Sequence, residues 1–425
     1  MRPRKLVILA AGKGERLRPL TETRPKPLMP ILDKPLICRH LEKLSKLVNP
    51  DEVLIVVSYM KDLVEREVLK CYGGRARIVE QREELGTGDA IKTAIEAGGE
   101  GEYIIVYGDL FLTEPAYSAI ASMKPYSLLA SRVKEPWNYG VLTVKDDRVI
   151  GVVEKPPRDQ VTSDLVYSGA LAVDHEFLKY LSSLRPSPRG EYEVTDAINN
   201  AARELDFRIV TVDGSWWIDI GRPWDYLLAV RKALEELSAN VRGRVHSTAV
   251  IEGAVYIDET AEVGPYVVIE GPAYIGPRAK VGPHTHIRPY TALLAGAKAG
   301  YAVEVKASVL MEGAAAPHLN YVGDSVIGEH VNLGAGTITA NLRFDHKTVK
   351  MYVKGERVDT GLPKLGAIMG GYSQTGINVS LMPGVKVGSY AVIYPGCVVY
   401  ADVPSGHAYK CASGNRVYPG AKPEG

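Results

Sequence analysis

Two glycines and a set of basic side chains follow an apolar segment near the start of the chain. The segment is KLVILA, residues 5–10, and Gly12 and Gly14 come shortly after it. Because glycine has no Cβ atom, it adopts positive φ and lets backbone N–H groups come close to an anion. Basic side chains that would neutralise such an anion lie at Arg16, Arg18, Arg24 and Lys26. This spacing predicts a polyphosphate-binding loop.

Two better-known phosphate loops do not fit this segment. The pattern G-x-x-x-x-G-K-[ST] of the P-loop is absent, and a dinucleotide fingerprint would need glycine where Leu17 stands. Glycine spacing alone is a weak signal. An ordinary glycine-rich turn with solvated basic residues therefore stays open as an alternative at this point.

Two aspartates are candidates for holding a metal ion near a bound polyphosphate. Asp109 follows the apolar residues 103–107 through Gly108, and Asp219 lies in WIDIGRPW, residues 217–224. Ligands of open α/β sheets collect at the carboxyl ends of strands, and Mg²⁺ commonly uses one or two carboxylates together with substrate phosphates. A lone aspartate after a strand is more often a helix cap, so its position alone does not identify Asp109 as a metal ligand.

These side chains need strands and helices to position them. From residue 1 to about residue 231, short apolar strands such as residues 53–57 and 103–107 alternate with helix-like segments, which predicts an α/β domain with a mostly parallel sheet. A helix that begins near Pro223 is expected to connect this domain to the rest of the chain, because one of its faces is apolar, with Leu227, Val230, Leu234 and Leu237.

The second half of the chain has a six-residue period. Apolar residues recur at this spacing in three stretches: Ile251, Ile257, Val263, Ile269, Ile275, Val281 and Ile287, then Ile327 and Leu333, then Leu381, Val387, Ile393 and Val399. A sustained period of this length predicts a parallel β-helix. We expect loops to leave the coil where the register stops, after Ile287.

Composition limits the classes of protein to which the chain can belong. Its 425 residues carry a formal net charge of +1, so bulk charge predicts neither a nucleic-acid nor a membrane partner. No apolar run has transmembrane length and no signal-peptide pattern opens the sequence, so we expect a cytoplasmic protein. The chain has only three glutamines, which fits a thermophile because such proteins avoid labile side chains.

The cysteines form no C-x-x-C pair and predict free thiols at Cys38, Cys71, Cys397 and Cys411.

The segment AGKGERLRPLT, followed by RPKPL, resembles the signature of sugar-1-phosphate nucleotidylyltransferases, which join a nucleoside triphosphate to a sugar phosphate and release pyrophosphate. The resemblance implies catalytic roles for Arg16 and Lys26, and Mg²⁺ bound by Asp109 and Asp219. The segment LGTGDA, residues 85–90, resembles the base-recognition loop of the family. The implied nucleotide-binding residues are Leu9, Ala11, Gly12, Gly14, Arg16, Lys26, Gln81, Gly86 and Thr87.

Three further segments resemble the sugar-binding parts of the same family: residues 138–140, 154–156 and 167–169. The resemblance implies that Glu154 faces the sugar and that Lys155 lies near phosphate. The implied sugar-phosphate ligands are Gly140, Glu154, Lys155 and Ser168. Ser168 departs from the family pattern, because bacterial members usually have asparagine at this position.

The stretch in which the six-residue register stops contains VEVK at 303–306, PHLNYVGD at 317–324 and NLGAGT at 332–337. It resembles the acetyltransferase half of the bifunctional glucosamine-1-phosphate N-acetyltransferase / N-acetylglucosamine-1-phosphate uridylyltransferases. The resemblance implies a left-handed β-helix, acetyl-CoA as co-substrate, and His318 as the general base that takes a proton from the sugar 2-ammonium. The implied substrate ligands are Arg288, Lys306, Tyr321, Asn332, Asn341 and Lys347. Leu342 stands where bacterial members commonly have tyrosine.

Motifs and resemblances together predict four parts of the chain. These are an α/β nucleotidyltransferase domain with a Rossmann-like mixed sheet in residues 1–222, a connecting helix in 223–242, a left-handed parallel β-helix of hexapeptide repeats in 243–403, and a C-terminal tail in 404–425.

Taken without the resemblance, His318 beside a proline is more often a loop histidine.

The implied function is acetylation of glucosamine 1-phosphate by acetyl-CoA, followed by uridylyl transfer from UTP, in a homotrimer. The nucleotide stays open between UTP and dTTP, and other amino-sugar 1-phosphates stay open as substrates. Two alternatives have a different character. One is a nucleotidyltransferase whose β-helix is structural or regulatory, and the other is a non-catalytic subunit that binds nucleotide sugars.

Overall fold

The computed structural model describes residues 3–32, 34–411 and 416–419, the last four by their backbone alone. Contacts divide the chain into two compact units. The first comprises Met1–Lys13, Pro25–Met29 and Lys34–Asp219. The second comprises Gly14–Arg24, Pro30–Asp33 and Ile220–Gly425. The predicted tail of residues 404–425 lies partly outside the described residues, and the predicted domain limits stay predictions.

The first unit is built on a mixed sheet of nine strands. In chain order they are β1 Arg4–Ala10, β2 Glu52–Val57, β3 Ala76–Glu80, β4 Glu102–Tyr107, β5 Ser127–Arg132, β6 Gly140–Lys145, β7 Arg148–Glu154, β8 Leu165–Asp174 and β9 Arg208–Thr211. Their order in the sheet is β3-β2-β1-β4-β8-β5-β9-β7-β6. Strands β1 to β4 are parallel and β8 is antiparallel to β4 and β5, so the predicted mixed sheet is confirmed. The expectation of a mostly parallel sheet is wrong, because four pairings of these strands are parallel and five are antiparallel.

Helices cover both faces of this sheet. They are α1 Leu36–Val48, α2 Lys61–Tyr72, α3 Thr87–Gly98, α4 Glu114–Ala121, α5 Leu178–Ser182 and α6 Val194–Ala202. Residues 6–10 of β1 are apolar because both faces of the strand are packed: Leu6 and Ile8 belong to one core cluster, and Val7 belongs to the other. A two-stranded antiparallel ribbon joins Leu110–Leu112 to Trp217–Asp219.

Short elements complete the description. Single turns of 3-10 helix occupy Glu15–Leu17, Lys26–Leu28, Gly73–Arg75, Pro136–Asn138, Arg158–Gln160, His175–Phe177 and Gly214–Trp216. Two-residue strands occupy Pro30–Ile31 and Lys34–Pro35. No helix in the described ranges is long and apolar enough to cross a membrane.

The second unit contains helix α7, Pro223–Glu235, and a three-sided coil of parallel strands. The first coil sheet comprises Asn240–Val241, Val255–Ile257, Ala273–Ile275, Thr291–Leu293, Val309–Leu310, Val326–Ile327, Ile368–Met369 and Lys386–Val387. The second comprises Arg244–Val245, Glu262–Val263, Lys280–Val281, Lys298–Tyr301, Ala315–His318, Asn332–Leu333, Gln374–Thr375, Val392–Ile393, His407–Lys410 and the antiparallel Arg416–Pro419. The third comprises Val250–Glu252, Val268–Glu270, His286–Ile287, Glu304–Lys306, Tyr321–Gly323, Ile338–Thr339, Ser380–Leu381 and Val398–Val399.

Each turn of the coil adds one strand to each sheet, which is the arrangement of a parallel β-helix. Ile257 pairs with Ile275 and Ile275 with Leu293, so one turn takes three six-residue steps. The apolar residues of the six-residue period fill the core of the coil, with only Ile251 partly exposed, so the predicted role of the period is confirmed.

The predicted interruption after Ile287 is wrong. The coil continues there without a loop, because Leu293, Ala299 and Val305 occupy the next core positions. The period is hidden by alanine at two core positions and by steps of five residues, such as the one from Val305 to Leu310. A true excursion comes later, between the strands Ile338–Thr339 and Ile368–Met369, and carries an antiparallel hairpin of Lys350–Val353 and Glu356–Asp359.

The expectation of free thiols is also wrong. Cys38 of α1 is bonded to Cys71 of α2, with their Cα atoms 5.9 Å apart, and Cys397 is bonded to Cys411 across 5.4 Å. The Cα separations suit a disulfide because the two helices pack side by side and because the chain returns to the end of the coil. The spacing of the cysteines along the sequence does not reveal that Cys38 lies near Cys71 or that Cys397 lies near Cys411.

The bond between Cys38 and Cys71 should stabilise the first unit by restricting its unfolded chain, since it closes a sequence separation of 33 residues. We expect Cys38→Ser to lower the free energy of unfolding by about 3 kcal/mol, measured from the midpoint of denaturant unfolding. The control is the double variant of Cys38 and Cys71, which should lose no more than either single variant. Additive losses would contradict a shared bond.

Candidate active sites

A cavity of about 240 Å³ opens in the first unit where β1 ends and α3 begins. Its lining brings together eight residues that the sequence predicts for nucleotide or metal binding: Leu9, Ala11, Gly12, Lys26, Gln81, Gly86, Thr87 and Asp109. The lining also includes Tyr107 and Glu191, which the sequence analysis missed. The carboxyl ends of parallel strands meet at this edge of the sheet, which is where open α/β sheets bind ligands.

Gly86 shapes the floor of this cavity. Its φ is 109°, and an added Cβ would lie 2.7 Å from the carbonyl oxygen of Tyr192. The side-chain amide of Gln81 donates to the carbonyl of Gly86 at 3.2 Å and to Oδ2 of Asp89 at 2.7 Å. These contacts fix the loop directly before the first turn of α3, and the N–H of Gly88 in that turn donates to the carbonyl of Tyr192 at 2.8 Å.

Lys26, Asp109 and Asp219 form a charged cluster at the same edge. Lys26 Nζ contacts Oδ2 of Asp109 and lies 3.8 Å from Oδ1 of Asp219. The ribbon brings the two carboxylates together, since Asp219 pairs directly with Leu110, the neighbour of Asp109. All three side chains are largely buried, with at most 26% of any one exposed.

This donor set fits Mg²⁺. No group of three or more His, Cys, Asp or Glu side chains that could hold a metal alone occurs within the described ranges. Two converging carboxylates are nevertheless enough for Mg²⁺, which completes its octahedron with substrate phosphates and water. In this structure the ammonium group of Lys26 supplies positive charge to both carboxylates.

The predicted sugar ligands lie on β6, β7 and β8. Gly140 and Glu154 are direct partners in the pairing of β6 with β7, and Lys155 Nζ lies 3.0 Å from Oε1 of Glu154. The fourth, Ser168, is 1% exposed, and its hydroxyl lies 3.0 Å from that of Ser131. The structure therefore brings three of the four together and holds the hydroxyl of Ser168 inside the core.

Arg189 was not predicted, although it contacts this group. Its guanidinium lies 3.5 Å from Glu154 and 3.7 Å from Glu193. Burial and the charge of Glu154 raise the pKa of Glu193, and the same two causes raise the pKa of Asp196. Arg189 therefore compensates part of a concentrated negative charge, and no motif in the sequence marks it.

Gly14 and Arg16 belong to the second unit, with the rest of residues 14–24. Gly14 is left-handed, with φ of 64°, and its carbonyl accepts hydrogen bonds from Leu17 N at 3.0 Å and Thr21 Oγ1 at 2.8 Å. Arg16 is exposed and has no ion pair among the described residues. Arg24, predicted to neutralise a polyphosphate, instead pairs with two carboxylates of the coil.

His318 lies on the outside of the coil, at the end of the strand Ala315–His318. Its backbone N–H donates to Oδ1 of Asn320 at 3.1 Å, and the buried Asn320 donates in turn to the carbonyl of Gly334 at 2.8 Å. The imidazole itself is exposed and forms no hydrogen bond with any residue that the structure describes. The main chain is therefore fixed while the ring is open to a ligand.

A polar cluster lies close to His318 along the chain. Lys306 Nζ is 3.1 Å from Oδ2 of Asp324, and Asn341 Nδ2 lies 2.5 Å from the same oxygen. Asn341 also donates to the hydroxyl of Tyr321 at 3.2 Å. Asp324, which was not among the predicted residues, thus joins Lys306 to Asn341, and Asn341 in turn binds Tyr321.

The remaining predicted residues of the coil make separate contacts. Arg288 pairs with Glu304 at 2.8 Å. Asn332 and Lys347 are exposed, and no hydrogen bond or ion pair joins them to Asp324 within the described part of the chain. Leu342 bridges to Lys364 at the base of the excursion and is 40% exposed.

Comparison with known sequences gives matches over nearly the whole chain. The sequence model of the family described as Nucleotidyl transferase matches residues 5–236. A protein of Sulfurisphaera tokodaii named bifunctional sugar-1-phosphate nucleotidylyltransferase/acetyltransferase is 45% identical over 411 residues, which cover 96% of this chain and 100% of the relative. A protein of Methanocaldococcus jannaschii named bifunctional protein GlmU is 42% identical over 400 residues, covering 94% and 95%.

A solved structure supports the fold of the first half. The crystal structure of UDP-glucose pyrophosphorylase complexed with UDP-glucose superposes with a TM-score of 0.50. It covers 55% of this chain and 99% of that chain, at 23% sequence identity. This likeness shows a shared fold.

The tight packing of Gly86 generates a prediction about stability. We expect Gly86→Ala to lower the free energy of unfolding by about 2 kcal/mol, because the new Cβ meets backbone atoms at a positive φ. The measurement is the denaturant midpoint. The matched control is Gly74→Ala, where φ is −74° and an added Cβ meets no atom within 4 Å. Equal midpoints for the two variants would show that Gly86 is not constrained in this way.

Proposed function

Because the chain belongs to the family of bifunctional sugar-1-phosphate nucleotidylyltransferase/acetyltransferases, we propose that it catalyses two consecutive reactions. It acetylates glucosamine 1-phosphate with acetyl-CoA, and it then transfers the uridylyl group of UTP to N-acetylglucosamine 1-phosphate with release of pyrophosphate. The observation that carries the proposal is the cavity of the first unit, on which Gly12, Lys26, Gln81 and Asp109 converge.

In nucleotidyl transfer, a phosphate oxygen of the sugar 1-phosphate attacks the α-phosphorus of the triphosphate. The bond from this phosphorus to the α–β bridging oxygen breaks, and pyrophosphate leaves. The protein's task is to place positive charge on the transferring group, since this reaction needs little covalent help. Lys26 would supply such charge in the cavity, and the resemblance implies the same role for Arg16. Asp109 and Asp219 would hold Mg²⁺, which neutralises phosphate oxygens when it is bound.

The sugar phosphate would lie against Gly140 and Glu154, with Lys155 next to its phosphate. An added Cβ at Gly140 would lie 3.1 Å from Thr195 and Val152 and 3.3 Å from the carboxylate of Glu154, so a larger residue would have to displace these side chains. Gln81 and the loop at Gly86 would hold the base. UTP is our first choice, and dTTP is the second because the family signature is shared by thymidylyl enzymes.

In acetyl transfer, His318 would take a proton from the 2-ammonium of glucosamine 1-phosphate. The free amine then attacks the thioester carbonyl carbon, the C–S bond breaks, and the coenzyme leaves as a thiol once its sulfur is protonated. The exposed ring of His318 supports this role, as does the polar cluster of Lys306, Tyr321 and Asn341. Arg288 and Lys306 would bind the sugar phosphate.

Asn332 would contact the amino sugar, while Asn341 and Lys347 would lie at the edge of acetyl-CoA. We include in the proposal that the coil is left-handed and that three chains assemble into a homotrimer. The parallel sheets show a β-helix of either hand, so the left hand and the trimer rest on the resemblance to the acetyltransferase family. The full-length match to relatives named as bifunctional favours two activities over a coil that is only structural.

A substitution in the coil should abolish acetyl transfer and leave nucleotidyl transfer intact. We expect His318→Ala to reduce release of coenzyme A thiol by at least about 100-fold, because a positioned general base contributes that much. Pyrophosphate release from UTP and N-acetylglucosamine 1-phosphate should stay within about 2-fold of the parent. The control is His246→Ala, another exposed histidine of the second unit. Loss of both activities in His318→Ala would refute independent sites.

A substitution in the first unit should abolish nucleotidyl transfer and leave acetyl transfer intact. Asp109→Asn should reduce pyrophosphate release by about 100-fold or more, because it removes a carboxylate ligand of the proposed Mg²⁺ site. Thiol release should persist in this variant and in the parent protein treated with EDTA. Asp62→Asn, a change at an exposed position of α2, serves as the control. Acetylation that stops on chelation would count against metal-independent acetyl transfer.

A further inference from the structure

Arg24 forms an ion triad with two carboxylates of the coil, of which Glu329 is buried and Glu312 is 36% exposed. Its guanidinium donates to both carboxylate oxygens of Glu312, at 3.2 and 3.1 Å, and lies 3.3 Å from Glu329. The side chains of Arg24 and Glu329 are only 16% and 7% exposed. Burial by itself lowers the pKa of Arg24, but the two carboxylates raise it well above its ordinary value. Arg24 therefore keeps its positive charge.

Both partners of Arg24, and Ser389, which binds Glu22 of the same segment, lie at one corner of the coil. Glu312, Glu329 and Ser389 each stand two residues after a strand of the first coil sheet, namely Val309–Leu310, Val326–Ile327 and Lys386–Val387. Gly371 holds the equivalent position on the turn between Glu329 and Ser389. An added Cβ at Gly371 would lie 2.5 Å from the carboxyl group of Glu329, so glycine makes room for the triad.

Two further contacts hold the segment Gly14–Arg24 against the coil. Glu22 accepts a hydrogen bond from the backbone N–H of Ser389 at 2.8 Å. Lys354, at the tip of the hairpin in the excursion, lies 2.9 Å from the carboxylate of Glu15. Since these contacts lie near both ends of the segment, its position is set by the coil.

The segment is also ordered within itself. Leu17 and Thr21 are fully buried and Leu20 is 2% exposed. Their hydrogen bonds return to the start of the segment, through the carbonyls of Gly14 and Leu17. Arg16 points away from this packing, since it is exposed and has no ion pair among the described residues. The segment thus presents Arg16 and the amides near Gly14 from a rigid support.

We propose that Arg24 is a positioning residue for nucleotidyl transfer: by fastening Gly14–Arg24 to the coil, it holds Gly14 and Arg16 in the conformation that binds the triphosphate. The inference rests on the function proposed above. A bidentate arginine suits this task because its planar fork fixes direction as well as distance.

The test uses the full-length protein and separate assays of pyrophosphate and thiol release. We expect Arg24→Met to raise the KM for UTP by about 10-fold or more, since small displacements of a binding group have large kinetic effects. Thiol release should stay within about 2-fold. Arg24→Lys, which keeps the charge but not the fork, should lie between the parent and Arg24→Met.

A second pair of variants covers the case in which Arg24→Met does not fold. Lys354→Met removes a partly exposed contact and should raise the KM for UTP by about 3-fold, in keeping with the small energies of exposed ion pairs. Lys350→Met, on the same hairpin, is the matched control and should leave the KM for UTP unchanged. Hydrogen exchange should report faster exchange of residues 14–24 in Arg24→Met, whether or not the protein turns over UTP.

An unchanged KM for UTP in Arg24→Met, or an equal fall of both activities with a lower Tm, would overturn the inference, because either result means a purely structural triad. An unchanged KM in Lys354→Met would do the same where Arg24→Met is not folded. If the parent protein released no pyrophosphate at all, the proposed function would fail instead. Hydrogen exchange would then still decide whether Arg24 holds the segment.

Discussion

Backbone pairing between successive turns of the coil is the constraint on which the second unit depends. Each turn stacks on the last in parallel register, so residues that hold equivalent positions on different turns lie above one another. This stacking aligns Glu312 and Glu329 for one guanidinium, and it places Tyr321 above Glu304. A shift of register would separate both groups. The packing of the coil core therefore positions polar side chains that are far apart in sequence.

Much of this arrangement could be predicted from the sequence because it follows from local patterns. The six-residue period marks the core positions of the coil, and the apolar run of β1 marks a strand covered on both faces. Gly12 and Asp109 end near one another because the parallel strands β1 and β4 deliver their carboxyl ends to one edge. Lys26 lines the same cavity from a single 3-10 turn.

Other features depend on contacts that leave no local signal. The partner of Arg24 is 288 residues away in the chain, so its basic side chain in a glycine-rich loop resembled a phosphate ligand. The cysteines pair across helices or turns whose packing the spacing does not reveal. Alanine at core positions 299 and 316 hid two turns of the coil, because a small core residue gives no hydrophobic peak.

The central claim is that one chain performs both reactions in order. Its most direct test is a time course of the parent protein with glucosamine 1-phosphate, acetyl-CoA, UTP and Mg²⁺, in which thiol and pyrophosphate are measured separately. We predict that thiol release precedes pyrophosphate release, that the two reach equal amounts, and that UDP-N-acetylglucosamine is the final product. Pyrophosphate release without thiol release, yielding a nucleotide sugar that carries no acetyl group, would contradict the account.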